Sequence, residues 1–96
     1  MAQAQILLIE DEATSRAILE TVLTDAGYCV DTAETAAIAY SRLQAARYAL
    51  VIADWLLPDG DGIYIADRAA ARGSRTLVVT GHVSDFPWGQ QVGTTS

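Results

Sequence analysis

Short apolar runs alternate along this chain with longer stretches in which apolar residues recur every three or four positions. Gln5 to Glu10 holds the continuous run Ile6-Leu7-Leu8-Ile9, bounded by polar residues, which predicts a strand covered on both faces. From about Thr14 to Ala26 the apolar positions Ile18, Leu19, Val22, Leu23 and Ala26 form a helical stripe, and Gly27 stands where a left-handed cap ends a helix. Tyr28 to Thr32 is a short β-rich stretch. Thr35 then caps a second predicted helix whose inner stripe is Ala36, Ala39, Tyr40, Leu43 and Ala46 or Arg47. Ala49 to Asp54 reads as a third strand, stopped by a loop containing Pro58, Gly60 and Gly62. A third helix opens at Asp61 or Gly62, carries Ile63, Ala66, Ala69 and Ala70 on one side and stops at Gly73. Arg75 to Thr80 is the fourth strand, and residues 83–96 show no sustained period and read as an irregular tail.

The order β-α-β-α-β-α-β with connections of only a few residues predicts right-handed crossovers and a mostly parallel sheet. Ninety-six residues, 51 % of them hydrophobic, suit one domain over residues 1–96, with a core at 5–82. No apolar run approaches the roughly 20 residues that span a bilayer. The first residues carry no secretory pattern, and a single cysteine, Cys29, read as a small strand residue, fits a reducing compartment. The expected location is the cytoplasm. A net charge of −6 argues against nucleic acid as a direct partner. All six basic residues are arginines, so the chain contains no lysine.

Polar residues close the apolar runs in a consistent way. Glu10 and Asp11 follow the first predicted strand, Asp54 ends the third and Thr80 ends the fourth. In a parallel α/β sheet, ligands bind outside the carboxyl ends of the strands, so three carboxylates are expected to converge at one edge. Like charges at that spacing call for a cation. Hard oxygen donors, with His82 standing alone and no Cys/His cluster, favour Mg²⁺ or Mn²⁺ over zinc. A plainer reading of Glu10-Asp11 is a solvated pair at a helix start, stabilised by the helix dipole. Trp55 either lies over the site or fills space beside the third strand, and Phe86 and Trp88 read as anchors of the tail or part of a contact surface.

With these marks in order, the chain resembles the receiver domains of response regulators in two-component phosphorelays. The marks are Glu10-Asp11, the loop Asp54-x-x-Leu57-Pro58-x-x-Asp61-Gly62, and Thr80-Gly81, and the resemblance covers residues 5 to about 82. It implies an α/β, flavodoxin-like three-layer sandwich with a parallel sheet in the order 2-1-3-4. It implies Asp54 as phosphoacceptor, a carboxylate nucleophile taking a phosphoryl group from a sensor histidine kinase or phosphotransfer protein. Asp11, Asp54 and the backbone carbonyl of Leu56 would ligate Mg²⁺, with Glu10 near it or acting through water. Thr80 would hydrogen-bond a phosphoryl oxygen, with the Gly81 N–H beside it. Such a module signals through protein contacts and is not an enzyme.

Two parts of the family pattern are expected to be absent or incomplete: the fifth strand with its lysine, and the fifth helix. Losing one preorganised donor of that kind costs about 10²- to 10³-fold in rate, so phosphorylation of these 96 residues is expected to be slow. Arg75 is a poor replacement, because it begins the fourth strand. Two origins stay open, a receiver without its last βα unit and a piece of a longer protein. The exposed edge of the fourth strand is expected to promote self-association. Against the phosphoacceptor stands an alternative, a receiver-like interaction module that works without phosphorylation. A small Mg²⁺-dependent phosphohydrolase is disfavoured, since Leu56 stands where a general base would be needed.

Overall fold

A computed structural model of the chain describes residues 4–79. The elements are β1 (Gln5–Ile9), α1 (Ala13–Asp25), β2 (Cys29–Ala33), α2 (Ala36–Ala45), β3 (Leu50–Asp54), the two-residue strands β4 (Leu56–Leu57) and β5 (Gly60–Asp61), α3 (Gly62–Ala71) and β6 (Arg75–Val79). The long strands form one parallel sheet in the order β2-β1-β3-β6, the predicted 2-1-3-4 with β6 as the fourth long strand. The expectation that a fifth strand and fifth helix are absent or incomplete, the last residue of the predicted fourth strand and the predicted tail over 83–96 all fall outside the described residues.

Both faces of the central strands are buried, as their continuous apolar runs require. Leu7, Ile9, Val51 and Ala53 point to one side, where they pack with Ala36, Ala39 and Leu43 of α2 and Ile65 and Ala69 of α3. Ile6, Leu8 and Ile52 point to the other, against Leu19 and Leu23 of α1. This gives three layers. The chain moves outward from β1 to β2 through α1, then reverses across the sheet through α2, and the helix changes face with the reversal. A constant crossover hand demands that change. The reversal places a crevice between the carboxyl ends of β1 and β3, the switch point at which such sheets bind ligands.

Two helix faces differ from the periodic expectation. On α1 only Leu19 and Leu23 pack inward, while Ile18 and Val22 are exposed and Ser15 is completely buried. On α3 the inward residues are Gly62, Ile65, Ala66 and Ala69, and Ile63 is exposed. Each apolar stretch is wide enough to allow more than one rotation of its helix, and contact with the sheet selects one. The loop after β3 also holds more order than predicted, because β4 and β5 pair antiparallel through Leu56–Asp61 and Leu57–Gly60. Gly27 (φ 100°) and Gly73 (φ 95°) adopt the left-handed backbone expected after α1 and α3.

At the far end from the crevice, the buried Tyr48 hydroxyl donates to Asp31 Oδ2 at 2.7 Å. Burial, then the bond to Asp31, pushes the phenol up to about 12 from 10.0. A raised folded pKa means that the native state holds this proton more tightly. The resulting stabilisation is complete below pH 10.0, the unfolded value, and is lost as pH rises through about 12. Urea midpoints measured across that window should fall in the wild type, and Tyr48→Phe should flatten the fall while costing about 1 kcal/mol at neutral pH. An unchanged slope in Tyr48→Phe would assign the alkaline loss to other groups.

Candidate functional site

β1 delivers the first acids. Pairing with β2 runs one residue past the strand, since the Glu10 N–H donates to the Ala33 carbonyl at 3.0 Å, and Glu10 is 1 % exposed. The chain then turns into α1. Glu12 is the helix N-cap and accepts from the Ser15 N–H at 2.7 Å, while its own N–H donates to Glu10 Oε2 at 3.1 Å. Arg16, one turn into the helix, reaches back and donates to the Glu10 carbonyl at 3.0 Å and more weakly to that of Asp11 at 3.5 Å. Its other nitrogen faces Glu34 at 3.5 Å. These bonds fix the backbone from which Glu10 and Asp11 project.

β3 delivers the third acid. The Ile9–Ala53 pair of the β1–β3 register puts Glu10 and Asp54 abreast at the next position, and Asp54 pairs on its other side with Val79. Asp54 is 3 % exposed. The Trp55 N–H donates to the Val79 carbonyl, and the Gly62 N–H to the Trp55 carbonyl, each at 2.8 Å. Gly62 is buried directly over the Asp54 carbonyl, where a Cβ would overlap backbone atoms. Asp61 caps α3 by accepting from the Ile63 N–H at 2.8 Å.

Glu10, Asp11 and Asp54 each offer an oxygen, and the three lie within 4.8 Å of one another. Two of these carboxylates are deeply buried and one, Asp11, is exposed. Burying anionic groups in a low-dielectric site costs several kcal/mol each unless positive charge compensates. An all-oxygen donor set of this size suits a hard divalent cation, and the cluster fits Mg²⁺. Leu56 stands two residues beyond Asp54 at the start of the β4–β5 ribbon, with an exposed side chain. Thr80 and Gly81 lie outside the described residues, as do His82, Phe86 and Trp88. Trp55 is 41 % exposed beside Asp54 and does not fill the core.

Three residues important to this geometry escape the sequence pattern. Glu12 carries a usable signal, an acid three residues before Ser15 at a helix start. Arg16 carries a weaker one, a single base one turn after an acidic pair. Asp59 carries none, because it accepts from the N–H groups of Ala36 (2.6 Å) and Ala37 (3.1 Å), far away in the chain. The bond from Ala36 is the main reason its carboxyl lies below the usual carboxylate range.

The model of the family described as "Response regulator receiver domain" matches residues 6–90. The chain belongs to this family. Among curated proteins it is 42 % identical over 65 residues to the response regulator receiver protein CpdR of Brucella abortus, covering 68 % of this chain and 54 % of that one. It is 37 % identical over 78 residues to the probable transcriptional regulatory protein SilR of Salmonella typhimurium, covering 79 % and 34 %. The chain thus spans about half or less of the length of these relatives. The crystal structure of the response regulator TrrA of Thermotoga maritima in complex with Mg²⁺-BeF matches with a TM-score of 0.73 at 30 % identity, covering 86 % of this chain and 76 % of that one. Receiver domains are signalling modules of two-component systems. No described helix is long and apolar enough to cross a membrane.

Proposed function

We propose that the chain is a phosphorelay receiver that accepts a phosphoryl group on Asp54 from a histidine kinase or phosphotransfer protein and signals by protein interaction in the cytoplasm. The observation that carries this reading is the meeting of Glu10, Asp11 and Asp54 within 4.8 Å at the carboxyl edge of a receiver-family sheet. Asp11, Asp54 and the Leu56 carbonyl would hold Mg²⁺, or Mn²⁺, with Glu10 beside it or acting through water. The cation would neutralise charge on the transferring phosphoryl oxygens, the chief need of this reaction.

The chain's own residues do the rest. An Asp54 carboxylate oxygen attacks phosphorus in line with the donor imidazole; the new O–P bond forms as the P–N bond breaks, and its electron pair leaves with the imidazole nitrogen. Glu12 and Arg16 keep the acidic turn in place, and Gly62 lets α3 start directly against the nucleophile's backbone. Thr80 and Gly81 follow Val79, the strand partner of Asp54, and in this reading the Thr80 hydroxyl and Gly81 N–H take a phosphoryl oxygen. The added negative charge would shift the domain toward an output-competent state.

Incubation with Mg²⁺ and acetyl phosphate, followed by intact mass, tests the reading: a single phosphoryl adduct is expected on the wild type. Since none of these 96 residues is lysine, an unreactive wild type would favour the second reading, a phosphorylation-independent interaction module. Among the described residues β6 pairs only with β3, and its Leu77 is 52 % exposed. This supports self-association of the chain through that edge, and a mass that stays monomeric across micromolar concentrations would refute it.

A further inference from the structure

The segment that follows Asp54 is suspended from two places. At its base the Gly62 N–H holds the Trp55 carbonyl at 2.8 Å, and Leu57 roots one side of the β4–β5 ribbon in the core. At its tip Asp59 reaches α2, accepting from the Ala36 N–H at 2.6 Å with Oδ1 and from the Ala37 N–H at 3.1 Å with Oδ2. Next to it Gly60 packs so closely on α2 that a Cβ there would stand 2.8 Å from Ala36 Cβ. The first turn of α2 has its own local cap as well, since Thr35 Oγ1 accepts from the Ile38 N–H at 3.2 Å. One helix end is therefore capped twice, once from its own chain segment and once by a carboxylate from the ribbon. The two caps satisfy different orphan donors of the same turn.

The local cap serves the helix. The distant one joins the helix to the ribbon that carries Leu56 away from Asp54. We propose that Asp59 is a positioning residue for chemistry at Asp54: by pinning the ribbon tip to the N-terminus of α2 it holds the Leu56 backbone beside the acidic cluster, and so sets the affinity for the divalent cation. This rests on the receiver reading above and assigns a role to a residue that lies outside the acidic cluster of Glu10, Asp11 and Asp54. Groups that orient metal ligands from outside typically govern affinity by about 10- to 100-fold. Asp59 belongs at the lower end of that range, because Leu57 still anchors the ribbon.

The test is Mg²⁺ titration of the chain followed by Trp55 fluorescence in a Trp88→Phe background, with acetyl phosphate uptake measured alongside. Asp59→Ala should weaken Mg²⁺ binding about tenfold and remove exchange protection from the Ala36 and Ala37 amides. Asp59→Asn, which keeps an oxygen acceptor but loses the charge at the helix end, should lose only about two- to fivefold. Thr35→Ala removes the local cap from the same turn and should lower thermal stability while leaving Mg²⁺ affinity unchanged. Gly60→Ala, which keeps the carboxylate and pushes the ribbon off Ala36, should weaken Mg²⁺ as Asp59→Ala does. The proposal is overturned if Asp59→Ala binds Mg²⁺ as tightly as the wild type, or if Thr35→Ala weakens it equally. A wild type that neither responds to Mg²⁺ nor takes up phosphoryl would remove the receiver reading, and this role with it.

Discussion

If Asp54 is the phosphoacceptor, as proposed, Asp54→Asn should take up no phosphoryl group under conditions in which the wild-type chain is expected to gain one. The carboxamide nearly matches the carboxylate in shape, so the strand-end position and its backbone bonds should persist, but the proposed anionic nucleophile is gone. The substitution also removes one of three acids that lie within 4.8 Å of each other, which relieves repulsion inside a site where Glu10 is 1 % exposed. Thermal stability without a divalent cation should therefore equal or exceed that of the wild type. Added Mg²⁺ separates the two further. A ligand that binds only the native state raises stability by about 2.7 kcal/mol at a hundredfold excess over Kd, and that rise should appear in the wild type and shrink or vanish in Asp54→Asn. Intact mass and thermal unfolding with and without Mg²⁺ check both parts. An adduct of equal yield on the variant would move the acceptor to another residue.

The second large effect is expected from a single methyl group. In Gly62→Ala the new Cβ would stand 2.8 Å from the Asp54 carbonyl carbon, 3.1 Å from Trp55 Cα and closer still to the Asp54 carbonyl oxygen. Those neighbours are backbone, so no side-chain rotation relieves the overlap. Either α3 moves away from β3 or the Asp54 peptide turns. Overpacking in a rigid setting costs about 1–3 kcal/mol, and the upper end applies where only backbone can yield. At about 4–8 °C per kcal/mol for a chain of this size, the melting temperature should drop by more than 10 °C. The Mg²⁺ response should fall as well, because the displaced backbone carries Asp54, one of the three clustered acids. A Gly62→Ala chain that melts with the wild type would show that the helix start tolerates a shift.

The legibility of the site follows from where its residues sit in the chain. Glu10, Asp11 and Asp54 close apolar runs, and a charge at the end of a buried run is visible without coordinates. Parallel strands ending in these residues place them at one edge, and the sheet brings them together. The rotation of α3 was not readable in the same way. Ile63, Tyr64, Ile65 and Ala66 are all apolar enough to face a core, so periodicity leaves the phase open. Burial of Gly62 against Asp54 settles it, and Ile65, Ala66 and Ala69 then turn inward at the spacing of helical neighbours. The same ambiguity made Ile18 and Val22 look like core residues of α1, although both are exposed.

Asp59 marks the boundary between the two kinds of information. Beside Pro58 and Gly60 it reads as an ordinary turn residue, and its hydrogen bonds go to Ala36 and Ala37. Hydrophobic period, capping residues and strand-end charges express what a segment does with its immediate neighbours, so the order of elements, the parallel sheet and the acidic edge could be read from 96 letters. Which helix face turns inward, and which distant amide a loop carboxylate finds, depend on how already-formed segments pack against each other. Those contacts exist only after the chain has closed on itself.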